Sequence, residues 1–395
     1  MTSFGFLSCQ TEGDNSLSTL RPANEPTSNG QSQAYGGAPA VLAALHRSAK
    51  IAEVVIGGSG VFLLTTEGAL WDFGFNDEGQ LGDGTTERRY FPAKIMSDVQ
   101  TIAAGDYHVL ALKKDGSLWM FGRIMYGRDV ETQSNDDGVP RGGLYPTQIM
   151  REVVAVGSGG SHCLIVKADM TLWTFGDNRW GQLGDGTTKA RATPVPVMTD
   201  VEAVAGVGGR SLVLKTDGTL WAFGDNRNGQ LGDGTTTSQE VPTQVMSGVE
   251  ALQAAGLCTI AIKRDDSRWA FGVEPSGLLI AKHSNTPHLP VQLPTRVLSI
   301  APQVGSWLMI QSDGSLWAFG YNRYGQLGDG TTRSREKQIK VMDGAKAAVA
   351  GEYFNYVIRT DGSLWGFGMN NFGQLGDVKV QEMHAPVQIA LPDEE

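Results

Sequence analysis

His108 and His162 are the residues of this chain whose type and position come nearest to suggesting chemistry. Each lies 11 residues before a tryptophan, Trp119 or Trp173, at the same position of a repeated unit. Histidine can act as a general base near neutral pH or as a ligand of zinc. Two histidines from separate units would need a carboxylate or cysteine placed beside them to hold a metal. The sequence therefore favours local hydrogen bonding over catalysis here, and it predicts no metal site.

Aspartates recur in a second pattern that invites a calcium-binding interpretation. The motif GQLGDGTT stands at 79–86, 181–188, 229–236 and 325–332, and it is shortened to GQLGD at 373–377. An EF-hand loop requires D-x-[DN]-x-[DN]-G, but the third position counted from Asp225 is Arg227. The motif therefore predicts a loop that is hinged by glycine and pinned by its central leucine.

No recognisable catalytic set accompanies these residues. The chain carries no Ser-His-Asp order, no nucleophile elbow and no glycine loop that opens a helix to cradle phosphate. We therefore expect a protein that is not an enzyme and that uses no cofactor.

Composition narrows the class of partner. The net charge of −10 argues against nucleic-acid binding, which needs a basic stripe to displace phosphate counterions. No run of 18 apolar residues exists, so no membrane span is expected. The three cysteines, Cys9, Cys163 and Cys258, lie far apart and cannot form a disulfide framework.

A repeat organises most of the chain. The signature Trp-x-Phe-Gly begins at Trp71, Trp119, Trp173, Trp221, Trp269, Trp317 and Trp365. The spacing is 48 residues except for one step of 54, between Trp119 and Trp173. This regularity indicates seven equivalent structural units.

The sequence pattern of each unit predicts four short strands. In the fourth unit these are 201–206, 211–218, 219–226 and 242–245, and Asp217-Gly218 marks a tight hairpin. The third strand is apolar on both faces, so it must be covered on both sides, with Trp221 packed between units. A closed ring of blades provides this cover, including for the first and last units. We therefore expect an all-β, seven-bladed β-propeller of four-stranded antiparallel blades, in which the first strand of unit one (51–57) lies beside unit seven.

The repeated words DG-x-[LV]-[WF]-x-[WF]-G and N-x-x-GQLG-x-G resemble the regulator of chromosome condensation repeat family over about 51–390. The regular wording is more similar to the bacterial branch of that family. The resemblance implies a propeller that binds a protein partner through one face of the ring. It also implies an alternative, since one eukaryotic relative is a guanine-nucleotide exchange factor for the Ran GTPase. In that alternative, the loop 123–145 would act on a Ran-like small GTPase.

Topology predicts which loops share the binding face. The first-to-second and third-to-fourth strand connections lie at one end of an antiparallel blade, and the Asp-Gly turns lie at the other. We call the first end the rim. Blades two and five carry substitute loops there, 123–145 and 273–289, in place of GQLGDGTT. Aromatic and arginine residues are enriched in interface hot spots. The candidate partner-binding residues on this rim are Tyr107, His108, Arg123, Tyr126, Arg128, His162, Arg210, Leu279, His283, Trp307, Tyr353 and Phe354.

The chain divides into an N-terminal arm, 1–50, and the propeller, 51–395. Residues 1–35 are polar and poor in charge, so they are not expected to order by themselves. Residues 38–50 predict one short amphipathic helix, with Pro39 in its first turn. An arm of this kind suggests a contact with a larger assembly, as in a secreted effector or a surface or virion component.

Overall fold

A computed structural model describes residues 8–9, 50–58, 60–124, 143–272, 288–302, 305–351, 353–371, 373–376 and 381–389. All regular secondary structure in these ranges is β-strand. The described part of the chain contains no long apolar helix of the kind that crosses a bilayer. The helix expected at 38–50 lies outside the described residues, except for Lys50.

Seven blades of four strands follow one another along the chain. The innermost strands are Ile51–Gly57, Val99–Ala104, Val153–Ser158, Val201–Val207, Val249–Ala255, Val297–Pro302 and Ala345–Ala350. The second strands are Gly60–Thr65, His108–Lys113, His162–Lys167, Arg210–Lys215, Cys258–Lys263, Ser306–Gln311 and Phe354–Arg359. The third strands are Leu70–Gly74, Leu118–Gly122, Leu172–Gly176, Leu220–Gly224, Arg268–Gly272, Leu316–Gly320 and Leu364–Met369. The outermost strands are Arg89–Met96, Thr147–Met150, Arg191–Met198, Gln239–Met246, Val291–Gln292, Arg335–Met342 and Glu382–Ile389.

The blades close into a ring. Within each blade the strands pair antiparallel in chain order, and each innermost strand contacts the innermost strand of the next blade. The seventh innermost strand contacts the first, and one apolar cluster joins Trp71 and Phe73 of blade one to Phe354 and Tyr356 of blade seven. The expected closure is therefore confirmed. A two-residue strand, Ser8–Cys9, pairs parallel with the innermost strands of blades one and five.

The signature Trp-x-Phe-Gly contributes unequally to the core. The phenylalanine is buried in every blade, and Phe223 has no exposed surface. Trp221 is only half-buried, and Trp71 is the one signature tryptophan that is fully buried. The expected packing of Trp221 between blades is present, since it lies against the apolar cluster that joins blades three and four. The fully buried Phe223 belongs to that cluster, so the phenylalanine is the more deeply buried of the two rings. The tryptophan also donates a hydrogen bond at the Asp-Gly end of the blade.

That hydrogen bond completes a short chain from each Asp-Gly turn. In blade four, Asp217 accepts bonds from the amide and hydroxyl of Thr219, at 2.9 and 2.6 Å. The Thr219 hydroxyl in turn accepts a bond from Nε1 of Trp221, at 2.9 Å. The same chain is present in blades two, three, five, six and seven. It thus ties each turn to the third strand.

Blade one lacks this chain, and the lack predicts a stabilising substitution. Glu67 and Ala69 stand where the other blades have Asp and Ser or Thr, and Nε1 of Trp71 is buried without a hydrogen-bond partner. We expect the double variant Glu67→Asp/Ala69→Ser to raise the free energy of unfolding by about 1 kcal/mol, because a buried donor gains an acceptor. Urea denaturation measures this change. Ser117→Ala in blade two is the matched control and should cost a similar amount, whereas an unchanged or lower stability of the double variant would contradict the role of the chain.

Candidate functional site

The rim is assembled by backbone bonds inside each blade. The first residue beyond the third strand donates its amide to a carbonyl of the first-to-second loop, as in Arg123 to Tyr107 at 2.6 Å and Asp225 to Gly209 at 2.9 Å. Blades three and six make the same bond, and in blade seven Met369, the last residue of the third strand, makes it to Tyr353. The two loops of a blade are thus held side by side, as the antiparallel topology predicts.

A buried asparagine pins each GQLGDGTT loop. In blade four, Nδ2 of Asn226 donates to Oδ1 of Asp233 at 2.9 Å, and to the carbonyls of Thr235 and Thr237, both at 3.1 Å. Its Oδ1 accepts from the amide of Leu231 at 2.9 Å. Asn76, Asn178 and Asn322 make the same set of bonds. The expected leucine pin is present, since Leu231 is fully buried, but the asparagine completes it.

The hydrogen bonds and the counter-charge of the motif's aspartate come from protein groups. Partial burial opposes ionisation of Asp185, but hydrogen bonds from Thr187 and Arg191 outweigh it and hold the pKa of that carboxyl below its ordinary value. The Arg191 guanidinium lies 2.7 Å from the Asp185 carboxylate. Among the described residues, no group of three or more His, Cys, Asp or Glu side chains is arranged to hold a metal ion.

Each GQLGDGTT loop also fastens its blade to the next one. The second glycine of GDG donates its amide to a carbonyl at the start of the neighbouring outermost strand, as in Gly186 to Glu240 at 3.0 Å and Gly330 to His384 at 2.9 Å. Gly84 and Gly234 donate in the same way to Leu144 and His288. We call this bond the latch. Its repetition makes the rim a rigid platform.

Four of the predicted partner-binding residues lie inside the ring rather than on its surface. His108, His162, Arg210 and Phe354 are each at most 1% exposed. This burial corrects the sequence-based site, because these side chains have no surface to offer a partner. They were misplaced because the next blade covers the start of the second strand, and that cover is invisible in the sequence of one unit.

The buried polar residues join neighbouring blades instead. Nε2 of His108 lies 2.8 Å from the hydroxyl of Ser158 in blade three, and Nε2 of His162 lies 2.9 Å from that of Ser211 in blade four. Arg210 donates to the carbonyl of Gly256 in blade five at 2.7 Å. The hydrogen bonding that the sequence favoured for the two histidines is present, but it is not local, because each histidine bonds a serine of the next blade.

The burial of His162 predicts a pH dependence of stability. Burial, aided by repulsion from His108, lowers the pKa of His162 to about 3, so it stays neutral in the folded protein. The unfolded histidine titrates near pH 6.5, so its contribution is complete above that pH and is lost as the pH falls below it. We expect wild type to lose about 2 kcal/mol more than His162→Gln between pH 7 and pH 5. Urea denaturation at both pH values tests this, and equal losses would contradict it.

Four predicted residues do lie at least partly exposed. Arg123 is exposed and lies 3.4 Å from Glu78 of blade one, while Tyr107 is half-buried beside it on the same blade end. Tyr353 is half-buried, with its ring centroid 5.0 Å from that of Tyr324 in blade six. Trp307 stacks on Phe319, at 6.5 Å between centroids, and packs against the apolar cluster between blades five and six.

The substitute loops fall mostly outside the described residues. Tyr126 and Arg128 belong to 125–142, and Leu279 and His283 belong to 273–287, both of which lie outside them. These four residues therefore stay sequence-based predictions.

The structure adds rim residues that the sequence analysis missed. In blades three and four, the guanidinium of Arg227 lies 3.8 Å from the ring centroid of Trp180 and is held by Asp225 at 2.8 Å. In blade six, Arg323 lies 5.7 Å from the ring centroid of Tyr324, and Tyr321 is 38% exposed. Trp180, Arg227, Arg323 and Tyr324 follow the third strand in the slot N-R-x before GQLG, and Tyr321 directly precedes this slot, so the variable residues there were the available signal.

The rim thus carries two clusters in which arginine lies against an aromatic ring. One contains Trp180 and Arg227, and the other contains Arg323, Tyr324 and Tyr353. Such side chains offer apolar area, stacking and directed hydrogen bonds at low entropic cost, as protein interfaces require.

Comparison with known families agrees with the repeat. A model described as the RCC1-like domain matches residues 11–306, and the regulator of chromosome condensation (RCC1) repeat matches 313–358 and 361–395. Human E3 ubiquitin-protein ligase HERC2 is 34% identical over 33% of this chain and 3% of its own length. Human Protein RCC2 is 35% identical over 31% of this chain and 24% of its own length. The chain therefore spans only a small part of these relatives.

Solved structures agree with the architecture. Human WBSCR16 superposes with a TM-score of 0.67 and 18% identity, covering 82% of this chain and 94% of that one. Prp20p from Saccharomyces cerevisiae superposes with a TM-score of 0.66 and 18% identity, covering 82% and 87%. At this identity the likeness concerns the fold alone. Because the family models match more than half of the sequence and the seven blades follow its repeat, the chain belongs to the RCC1 repeat family of β-propellers.

Proposed function

We propose that this chain is a non-enzymatic protein-binding propeller whose rim docks a protein partner. The observation that carries the proposal is the pair of arginine–aromatic clusters, Trp180 with Arg227 and Arg323 with Tyr324 and Tyr353, on one end of the ring. Loops held on a rigid scaffold are the usual place for recognition.

Preorganisation supports this proposal. Arg227 is held in place by two contacts to Asp225, at 2.8 and 3.0 Å, before any partner arrives. The Trp180 ring packs against Gly209, where an added Cβ would lie 2.9 Å from the indole. A binding surface that is ordered in advance loses less side-chain entropy on association.

The relatives supply a second candidate function. The structure of Prp20p carries a title that names its binding properties to Gsp1p and histones, and another describes Kap60 bound to yeast RCC1. By analogy, the rim would act as a guanine-nucleotide exchange factor for a Ran-like small GTPase, with Arg123 at the start of the loop 123–145 near the contact. The net charge of −10 speaks against nucleic acid as a partner.

Affinity capture with matched variants tests the proposal. The full chain is used as bait, and the proteins retained by wild type are compared with those retained by Arg227→Ala/Tyr353→Ala. The control is Met170→Ala/Arg264→Ala, which removes exposed side chains from the Asp-Gly end. We expect the rim variant to lose the retained partner and the control to keep it. Equal retention by all three proteins would place binding elsewhere.

A nucleotide-release assay separates the two candidates. Small GTPases loaded with a fluorescent guanine nucleotide are mixed with catalytic amounts of the propeller. Accelerated release, lost in the rim variant, would replace the binding proposal by exchange activity. Unchanged release, together with retained rim-dependent capture, supports a binding role.

We propose that the N-terminal arm provides a second attachment, separate from the rim. Residues 1–35 would link the propeller to a larger assembly, as in a secreted effector or a surface or virion component. The arm lies outside the described residues apart from Ser8 and Cys9, and its removal in the capture experiment shows whether it contributes.

A further inference from the structure

Among the described residues, a recurring backbone bond holds five of the seven seams between blades, and it is missing between blades five and six and between blades seven and one. At five seams the first residue of an innermost strand donates its amide to a carbonyl of the preceding blade's hairpin turn. These bonds run from Val99 to Gly68, Val153 to Gly116, Val201 to Met170, Val249 to Gly218 and Ala345 to Gly314. Between blades five and six, the amide of Val297 donates instead to Pro294 of its own linker, at 3.0 Å.

Two other devices are also replaced at this seam. The position of His108, His162 and Arg210, which bond across three other seams, is occupied in blade five by Cys258. A thiol is only a weak hydrogen-bond donor, so Cys258 offers blade six no strong hydrogen bond. Its described contact is the carbonyl of Thr259 in its own strand, at 3.9 Å. Blade five also lacks the GQLGDGTT sequence that forms the latch in other blades.

A polar side chain interrupts the apolar face of the same seam. Gln253 pairs across the blade with Ile260, which belongs to the apolar cluster facing blade six. Its Oε1 is buried without a hydrogen-bond partner. The other blades have Val55, Ala103, Gly157, Ala205, Ala301 and Val349 at this position. An amide oxygen that is buried without a hydrogen bond lowers the stability of the fold, and an alanine at this position would avoid that cost.

The seam between blades seven and one provides a useful comparison. There the histidine position is filled by Phe354, but Phe73, Phe354 and Tyr356 are fully buried in the contact. Between blades five and six, the buried aromatic ring among the described residues is Phe319, which stacks on Trp307, while Trp307 and Trp317 are only partly buried against the apolar cluster. The seam between blades seven and one, with three fully buried rings, therefore offsets its missing bonds more fully than the seam between blades five and six.

We propose that the propeller ring opens preferentially between blades five and six, and that this opening exposes the thiol of Cys258. Local opening of a folded protein occurs where buried apolar contacts and hydrogen bonds are fewest, and it does not require global unfolding. In the closed ring Cys258 is 7% exposed, and its burial raises the thiol pKa to about 11, which keeps it unreactive. Cys163 is fully buried between blades two and three and serves as an internal reference.

Alkylation of the two thiols tests the proposal. The full chain with Cys9→Ser is treated with N-ethylmaleimide under native conditions, and peptide mass spectrometry follows each cysteine. We expect Cys258 to react at least about tenfold faster than Cys163, and Gln253→Ala to slow Cys258 about tenfold while leaving Cys163 unchanged. Fraying of the loop before Cys258 would not respond to Gln253→Ala, so that variant separates fraying from seam opening.

The converse substitution provides the matched control. Ala103→Gln places the same amide at the equivalent position of the seam where Cys163 lies, and we expect it to speed Cys163 and not Cys258. If Ala103→Gln fails to fold, the Gln253→Ala comparison decides alone. Equal reaction of both cysteines, or an unchanged Cys258 rate in Gln253→Ala, would overturn the proposal.

Discussion

Replacing Asn226 by Ala is expected to lower the free energy of unfolding by about 3–5 kcal/mol, a large effect for one small polar side chain. The buried amide donates to Asp233, Thr235 and Thr237 and accepts from Leu231. Alanine leaves these groups without their partner in a water-poor environment, and it frees the loop whose glycine latches onto blade five. Urea denaturation of wild type and variant measures the change.

A neighbour in the same loop provides the control for this prediction. Asn228 is exposed, and its described bond is made by its backbone amide to Gln230. Asn228→Ala should therefore change stability by no more than about 0.5 kcal/mol. Similar costs for the two asparagines would show that the amide network does not hold the loop.

The second large effect is expected at the signature phenylalanine. Phe223 is fully buried in the cluster between blades three and four, and its ring lies under Gly184 of the preceding latch loop, where an added Cβ would be 2.8 Å from Cε2. Phe223→Ala should cost about 3–5 kcal/mol, because it removes a buried ring and leaves a cavity that two rigid blades cannot close.

Trp221 is the matched comparison for Phe223. It is larger but partly exposed, so the space that Trp221→Ala leaves is open to solvent, and one hydrogen bond to Thr219 is lost. We expect a cost of about 1–3 kcal/mol, smaller than that of Phe223→Ala. Chemical denaturation of the two variants decides the order, and a larger cost for Trp221→Ala would restore the tryptophan as the main core residue.

The sequence predicted the architecture well because its information is repeated. One unit defines the strand order, and the Trp-x-Phe-Gly spacing defines the number of blades, so the closed ring follows from the need to cover the terminal units. The turn at Asp217-Gly218 and the leucine pin at Leu231 are local patterns and were predicted for the same reason.

The rim was predicted less well, because exposure there depends on the neighbouring blade. Arg210 looks like a surface residue in the sequence, yet its guanidinium bonds the backbone of blade five. The Trp180–Arg227 pair joins two blades, so the contact between them is not visible in the sequence of one unit. Asn226 was visible in every motif, but its bonds run to residues seven to eleven positions later, which periodicity alone does not reveal.

Hydrogen–deuterium exchange of the propeller with and without its captured partner tests the central claim most directly. We expect slower exchange in the rim segments 177–180, 225–228 and 321–324 and around Tyr353, with unchanged exchange at the Asp-Gly turns of the opposite end. Protection confined to those turns, or to the outermost strands, would contradict the rim as the docking surface.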